Sequence, residues 1–269
     1  MDFIEIIKGF FLGIIQGITE WLPISSTGHL ILFEDLLKFN LTEEFINTFF
    51  VVIQFGSIMA VVVLFFNKLN PFKKDKEERY STINLWLKIA VATIPAGIIG
   101  FLFEEKIDTL LYNSLTVALM LILYGIIFIV LESRKKTPKI EDLSKISFKL
   151  ALGIGLFQTL ALIPGTSRSG ATIVGAVFLG TSRYVASEFS FFLAIPIMFA
   201  ASAYKMLKIG LSFTSLEIAV LVAGSLAAFF MSLWAIKFLL DYVKKHDFKL
   251  FGYYRIIVGL LVLLLYLIF

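Results

Sequence analysis

The sequence predicts an all-α integral membrane protein built as an inverted-topology repeat, with six transmembrane helices and two re-entrant helix–loop–helix hairpins. Three observations carry this. Of 269 residues, 59% are hydrophobic and only 16% are charged, against about 45–50% apolar and about 25% charged in an ordinary soluble domain. The apolar residues fall into long regions of two kinds, unbroken and broken, and the two broken regions match each other without a gap.

In chain order, the first apolar region, about 3 to 38, is interrupted from Glu20 to His29. Its second half is about 11 residues, roughly 16 Å of helix, too short for a hydrocarbon core about 30 Å thick. Unbroken runs at about 46 to 67, 83 to 103 and 114 to 131 follow, each long enough to span. A second broken region, about 149 to 180, is interrupted from Pro164 to Thr172, and three more spanning runs close the chain at about 186 to 207, 215 to 237 and 253 to 269. Non-helical backbone at membrane depth is tolerated only inside protein or along a wet cavity, so both broken regions read as hairpins with functional tips. No polar stretch exceeds about 20 residues, leaving no material for a soluble domain, and residues 1–269 form a single membrane domain. The N-terminal MDFIEIIKGF lacks a basic n-region and a small-residue cleavage site and reads as mature protein.

Setting GIIQGITEWLPISSTGHLI beside GLFQTLALIPGTSRSGATI at an offset of 142 aligns Gly13 with Gly155, Gln16 with Gln158, Ser25 with Ser167, Gly28 with Gly170 and Ile31 with Ile173. The same offset carries Phe49 and Phe50 onto Phe191 and Phe192, and LKIAV from Leu87 is echoed by LEIAV from Leu216. The chain is read as a duplicated unit, repeat one about 1–132 and repeat two about 145–269, each one hairpin plus three spans. Basic residues cluster at 68 to 79, at 134 to 149 (Arg134, Lys135, Lys136, Lys139, Lys145, Lys149) and at 237 to 255 (Lys237, Lys244, Lys245, Lys249, Arg255). The positive-inside rule makes these loops cytoplasmic, whereas the alternate loops hold only Lys106 and the pair Lys205 and Lys208. Threading the chain places both termini outside, with hairpin one entering from outside and hairpin two from inside, so that the halves are inverted.

The tips carry SSTG and SRSG just before each second half-helix. Ser, Thr and Gly there cap a helix whose first N–H groups and dipole favour an anion. Arg168 adds a guanidinium that is costly in an apolar hairpin unless it is paired or meets a ligand, and whose fork suits phosphate oxygens. The plainer reading is an ion pair with Glu20. Glu20 and His29 bracket the first loop; a carboxylate there can hold a divalent cation or take a proton, and His29 can act as acid or base. Gln16, one turn before Glu20, either positions it or makes an ordinary interhelical hydrogen bond. Gln158 is read as packing, Gln54 and Glu188 as structural, His246 as solvated, and the 29 Phe residues as packing and bilayer-facing material.

Several chemistries drop out. Cysteine is absent, which removes disulfides and thiolate nucleophiles. Two histidines are too few for a histidine-rich metal centre. The net charge of +4 sits in short loops, so no nucleic-acid partner is expected. There is no G-x-x-x-x-G-K-[ST] and no G-x-S-x-G, and Val174 stands where the SRSGATI segment of a phosphatidic-acid-type phosphatase would need histidine.

The segments EWLPISSTGHLILFEDLL, VVIQFGSIMAVVVLFF, LALIPGTSRSGATI and GTSRYVASEFSFFLAIPIM closely resemble the undecaprenyl-diphosphate phosphatases, the bacitracin-resistance family of bacterial membrane enzymes. The resemblance runs from about residue 4 to the C-terminus. It implies hydrolysis of undecaprenyl diphosphate to the monophosphate, recycling the lipid carrier of peptidoglycan and other cell-wall polymers, in the bacterial cytoplasmic membrane with the site open to the outer face and with a divalent cation, magnesium or calcium. The family's acidic motif maps onto Gln16 and Glu20, its SSTGH segment onto Ser25 through His29, and its P-G-x-S-R-S-G-A-T segment onto Pro164 through Thr172. The expected catalytic set is Glu20 (with the cation), Ser26 as nucleophile, His29 activating it or a water, and Arg168. Gln16, Ser25, Thr27, Ser167, Ser169 and Thr172 are expected to bind substrate. Water or histidine as nucleophile stays open, as does a homodimer. Inverted repeats with broken helices also build secondary transporters, so a polyprenyl-phosphate flippase is the competing reading.

Overall fold

The computed structural model describes residues 2–134, 137–209 and 213–268. Met1, Lys135, Lys136 and Phe269, counted above in the repeats, a basic loop and the last span, lie outside the described residues, as do the side chains of Ile31, Lys205 and Lys208. The chain is almost entirely helical: α1 (Asp2–Thr19), α2 (Ser26–Leu37), α3 (Glu43–Leu64), α4 (Phe66–Leu69), α5 (Lys76–Leu111), α6 (Ser114–Ser133), α7 (Phe148–Thr159), α8 (Arg168–Phe178), α9 (Arg183–Ile209), α10 (Ser215–Val243) and α11 (Lys249–Ile268). Among the described residues the only β pairing is a single bridge between Ile140 and Thr181.

Six helices, α3, α5, α6, α9, α10 and α11, are long and apolar enough to cross a membrane, which makes the chain a multi-pass membrane protein. The helices start where polar side chains can serve their free N–H groups. Thr42, Asn113 and Ser147 cap α3, α6 and α7 through Phe45 N, Thr116 N and Leu150 N, and Thr214 with Glu217 forms a capping box on α10. By contrast α2 has 12 residues and α8 has 11, about 18 Å and 16 Å of helix.

Packing is by small residues. α1 lies on α10 and α7 lies on α5; α6 pairs with α11, and α3 sits between α9 and α10. At the first crossing Gly13 faces the Gly224 backbone, and at the second its offset-142 mate Gly155 faces the Ala92 backbone. Where no side chain intervenes, helices approach closely enough for dispersion to replace the hydrophobic force that lipid does not supply. The outer surface exposes Phe101, Phe230 and Leu264, while the buried carboxylates Glu132 and Glu188 are paired with cations. Glu132 accepts Arg183 Nε at 2.9 Å and Nη2 at 2.6 Å and Phe248 N at 3.3 Å. Glu188 accepts Lys68 Nζ at 2.6 Å.

Arg255 departs from expectation. The sequence groups it with the basic loop 237 to 255, but α10 continues to Val243 and α11 begins at Lys249, so the connection is much shorter. Arg255 falls inside α11 and is fully buried. The aromatic stretch Phe248 to Tyr254 extends the helix and carries the arginine into the protein.

Candidate active site

Two short helices, α2 and α8, place their N-terminal residues along one cavity of about 560 Å³. Each begins after a serine in the left-handed region, Ser25 at φ 75° and Ser167 at φ 73°, and these two are mates at the offset of 142. Such a conformation costs a non-glycine residue about 1–3 kcal/mol. It aims each hydroxyl back over its own helix: Ser25 Oγ accepts Gly28 N at 3.4 Å and Ser167 Oγ accepts Gly170 N at 3.1 Å. The remaining first-turn N–H groups have no intrahelical partner and present a positive end to the cavity.

Glu20 is the hub. Its Oε1 accepts Arg168 Nη2 at 2.9 Å, and its Oε2 accepts Gln16 Nε2 at 2.9 Å and Ser26 Oγ at 2.8 Å. One carboxylate thus joins the tips of both half-helices. Arg168 also donates through Nη1 to Ser190 O at 2.8 Å, and its guanidinium lies 5.3 Å from the centre of the Trp21 ring. Glu20, Ser25, Ser26, Thr27, Ser167 and Arg168 all line the cavity.

The other expected residues stand behind this wall. Gln16 is fully buried and orients Glu20. Ser169 donates to Glu20 O at 3.1 Å and to Leu22 O at 3.2 Å, tying one tip to the other. Thr172 shares a 2.6 Å hydrogen bond with Ser190 Oγ and donates to Arg168 O at 2.9 Å. These are supporting contacts, with no face on the cavity. His29 is not brought to Ser26. Its Nδ1 lies 2.7 Å from Ser25 O, so this nitrogen carries the proton, and Nε2 accepts the Tyr254 hydroxyl at 2.7 Å. The two rings are parallel within 2°. Both ring nitrogens are occupied, and it is Glu20 that sits within proton-transfer reach of Ser26.

The structure adds residues that sequence reasoning left as structural or missed. Gln54 from α3 and Gln158 from α7 line the cavity, where a partly satisfied amide can meet a polar ligand: Gln158 Oε1 has no hydrogen-bond partner. The signal was a glutamine inside an otherwise apolar helix. Tyr254 and Arg255 hold the site from α11, and the available signal was an arginine within the apolar run starting at residue 253. Most of the remaining wall is apolar, with Ala96, Gly97 and Phe101 of α5 and Ile197 and Ala200 of α9, joined by Thr93 and Tyr204.

A divalent cation takes about six oxygen ligands. Glu20 is the one carboxylate among the cavity's lining residues, and both its oxygens are engaged. Among the described residues no group of three His, Cys, Asp or Glu side chains could hold a metal. Among the cavity's lining residues this donor set forms no ready-made cage for a cation, which a single carboxylate would hold only together with substrate phosphates and water.

Residues 9–261 match the model of a family described as bacitracin resistance protein BacA. The chain is 62% identical over 262 residues, 97% of its own length and 96% of the relative's, to undecaprenyl-diphosphatase 1 of Clostridioides difficile (strain 630). It is 55% identical over 271 residues, 98% of each chain, to undecaprenyl-diphosphatase of Enterococcus faecalis. It is 53% identical over 279 residues, covering 100% of each, to undecaprenyl-diphosphatase 1 of Clostridium acetobutylicum.

Proposed function

The chain belongs to the bacitracin resistance protein BacA family, and from that premise we propose how its cavity works as an undecaprenyl-diphosphatase. The chain hydrolyses undecaprenyl diphosphate to undecaprenyl phosphate and inorganic phosphate, as its relatives' names state, which underlies bacitracin resistance. The observation that carries the site assignment is the Glu20 carboxylate shared by Ser26 and Arg168 at two helix N-termini.

In the first step Ser26 Oγ attacks the terminal phosphorus and its proton passes to Glu20 Oε2 over the existing 2.8 Å hydrogen bond. The bond from that phosphorus to the bridging oxygen breaks, and the leaving undecaprenyl phosphate keeps the electron pair. Protonating Glu20 also removes the counter-charge of Arg168. The guanidinium then turns to the phosphoryl oxygens as their charge develops, an interaction stronger in the transition state than in the ground state. Glu20 gives its proton to the departing phosphate. In the second step Glu20 takes a proton from water as the water attacks the phosphoserine, releasing inorganic phosphate, and Ser26 recovers its proton. His29, held as the Nδ1–H tautomer, fixes the left-handed turn at Ser25 and so aims Ser26. The apolar walls of α5 and α9 receive the first isoprene units.

The two broken regions are re-entrant hairpins and the two halves an inverted repeat. Supporting this are the lengths of α2 and α8, the matched φ of Ser25 and Ser167, and packing that repeats on exchange of the halves, α1 on α10 as α7 on α5. With the basic loops read as cytoplasmic, the presence of Ile107 and Tyr204, toward the outward ends of α5 and α9, among the lining residues supports a cavity open to the outer face of the cytoplasmic membrane. Magnesium or calcium comes with the diphosphate rather than in a protein site, and none of the steps above uses it. The test is phosphate release from undecaprenyl diphosphate by purified protein, with and without magnesium. Ser26→Ala should abolish trapping of a phosphoenzyme; full turnover in that variant would discard the serine mechanism, and no release from the intact chain would favour the flippase.

A further inference from the structure

Arg255 is a fully buried guanidinium with no carboxylate partner among the described residues. Burying an unpaired cation costs several kcal/mol, so its placement calls for a reason. Its hydrogen bonds supply one. Nη1 donates to Pro23 O at 3.1 Å, and Nη2 donates to Gly165 O at 2.9 Å and Thr166 O at 2.9 Å. A longer contact of 3.4 Å reaches Met120 O of α6, and the Tyr124 ring lies 5.5 Å from the guanidinium carbon.

Pro23 and Gly165 are themselves mates at the offset of 142. The two prongs of one planar fork therefore take the same carbonyl from each hairpin loop, two residues before the left-handed serine of each. Nothing else described grips both loops symmetrically: Ser169 joins them on one side only, and the Glu20–Arg168 pair joins them through groups that the reaction itself uses. We propose that Arg255 is the positioning residue of the active site, a latch on the approximate two-fold axis that sets the tip carrying Ser26 against the tip carrying Arg168. It touches no reacting atom and does not line the cavity. Its part is to hold two separately folded turns in one register while the Glu20–Arg168 contact breaks and re-forms. The proposal rests on the two-tip reading of the site given above.

Lysine is the informative substitution. It keeps the charge but replaces a rigid fork of five donors by a point charge on a flexible stem, which cannot span carbonyls on two loops. Arg255→Lys should lower kcat on undecaprenyl diphosphate about 100-fold, the scale of an ångström-sized misplacement, with KM within about three-fold of wild type, since the apolar walls that bind substrate are untouched. A second readout needs no turnover. The chain has no cysteine, so nitroxides at Leu37→Cys and Phe178→Cys report the distance between the ends of α2 and α8 by double electron–electron resonance. That distribution should be narrow with Arg255 and broad with Arg255→Lys. Unchanged kcat, or an unchanged distance distribution, overturns the latch; so does loss of the folded monodisperse species in Arg255→Lys, which would make the residue a general stability element. If the wild-type chain releases no phosphate, the activity reading fails and the distance measurement alone decides the latch.

Discussion

Replacing Gly13 by alanine tests whether the α1–α10 crossing sets the geometry of chemistry a turn or two further along. A Cβ built on Gly13 would sit 2.2 Å from Gly224 O and 2.8 Å from the Gly224 carbonyl carbon. Close carbon–oxygen contacts in proteins lie at about 3.3 Å, so the helices must separate by about 1 Å. The obstacle is backbone on a 29-residue helix, not a side chain that can rotate away. Overpacking of this kind costs about 1–3 kcal/mol. Gln16 lies one turn further along α1 and Glu20 just beyond its end, so the shift is delivered to the carboxylate that must meet Ser26 and Arg168. A misplacement of about 1 Å lowers turnover about 100-fold. The assay is kcat at saturating undecaprenyl diphosphate together with the thermal midpoint in detergent. Gly155→Ala, whose Cβ would lie 2.2 Å from Ala92 O, should behave alike, and Gly97→Ala, with nothing within 4 Å, should melt as wild type does. Gly13→Ala with wild-type turnover and midpoint would refute the reasoning, because the crossing would then have slack that its geometry denies.

Two further outcomes follow from the same contacts. Glu20→Gln keeps the shape of the hub but can neither take the Ser26 proton nor neutralise Arg168, so phosphate release should fall about 10²–10⁴-fold with the elution profile unchanged; retention of a tenth of the activity would assign the proton to another group. Glu132→Ala removes the acceptor of Arg183 and of Phe248 N and should lower stability by about 1–3 kcal/mol, read as the thermal midpoint; an unchanged midpoint would make that clasp dispensable.

The broken helices were legible because Gly, Pro and Ser in an apolar region interrupt it at a definable place, and the six spans because a run of about 20 apolar residues has few alternatives. Their ends were less so. α5 extends from Lys76 to Leu111, well past its apolar run, because Glu, Lys and Arg continue a helix as readily as Leu once it has left the bilayer. The positions of Glu20, Ser26 and Arg168 in one site were foreseeable from their motifs, but the partners were not. His29 is three residues from Ser26, on a neighbouring helical position, yet its ring is claimed by Ser25 O and by Tyr254, 225 residues away. Arg255 is hidden for the same reason: a cation near a loop and a cation buried against four carbonyls have the same letter, and only the length of the connection before it tells them apart.

The paired left-handed serines have one more consequence. The residue that follows each occupies the same place at the head of its half-helix, and in one half it is Ser26 while in the other it is Arg168. A single backbone position, present twice, carries two different groups, a hydroxyl hydrogen-bonded to Glu20 Oε2 and a cation paired with Glu20 Oε1. The mate of Glu20 is Leu162, so the carboxylate that serves both has no twin. The matched turns build the frame here, and the proposed chemistry comes from two places at which the halves disagree, Glu20 against Leu162 and Ser26 against Arg168.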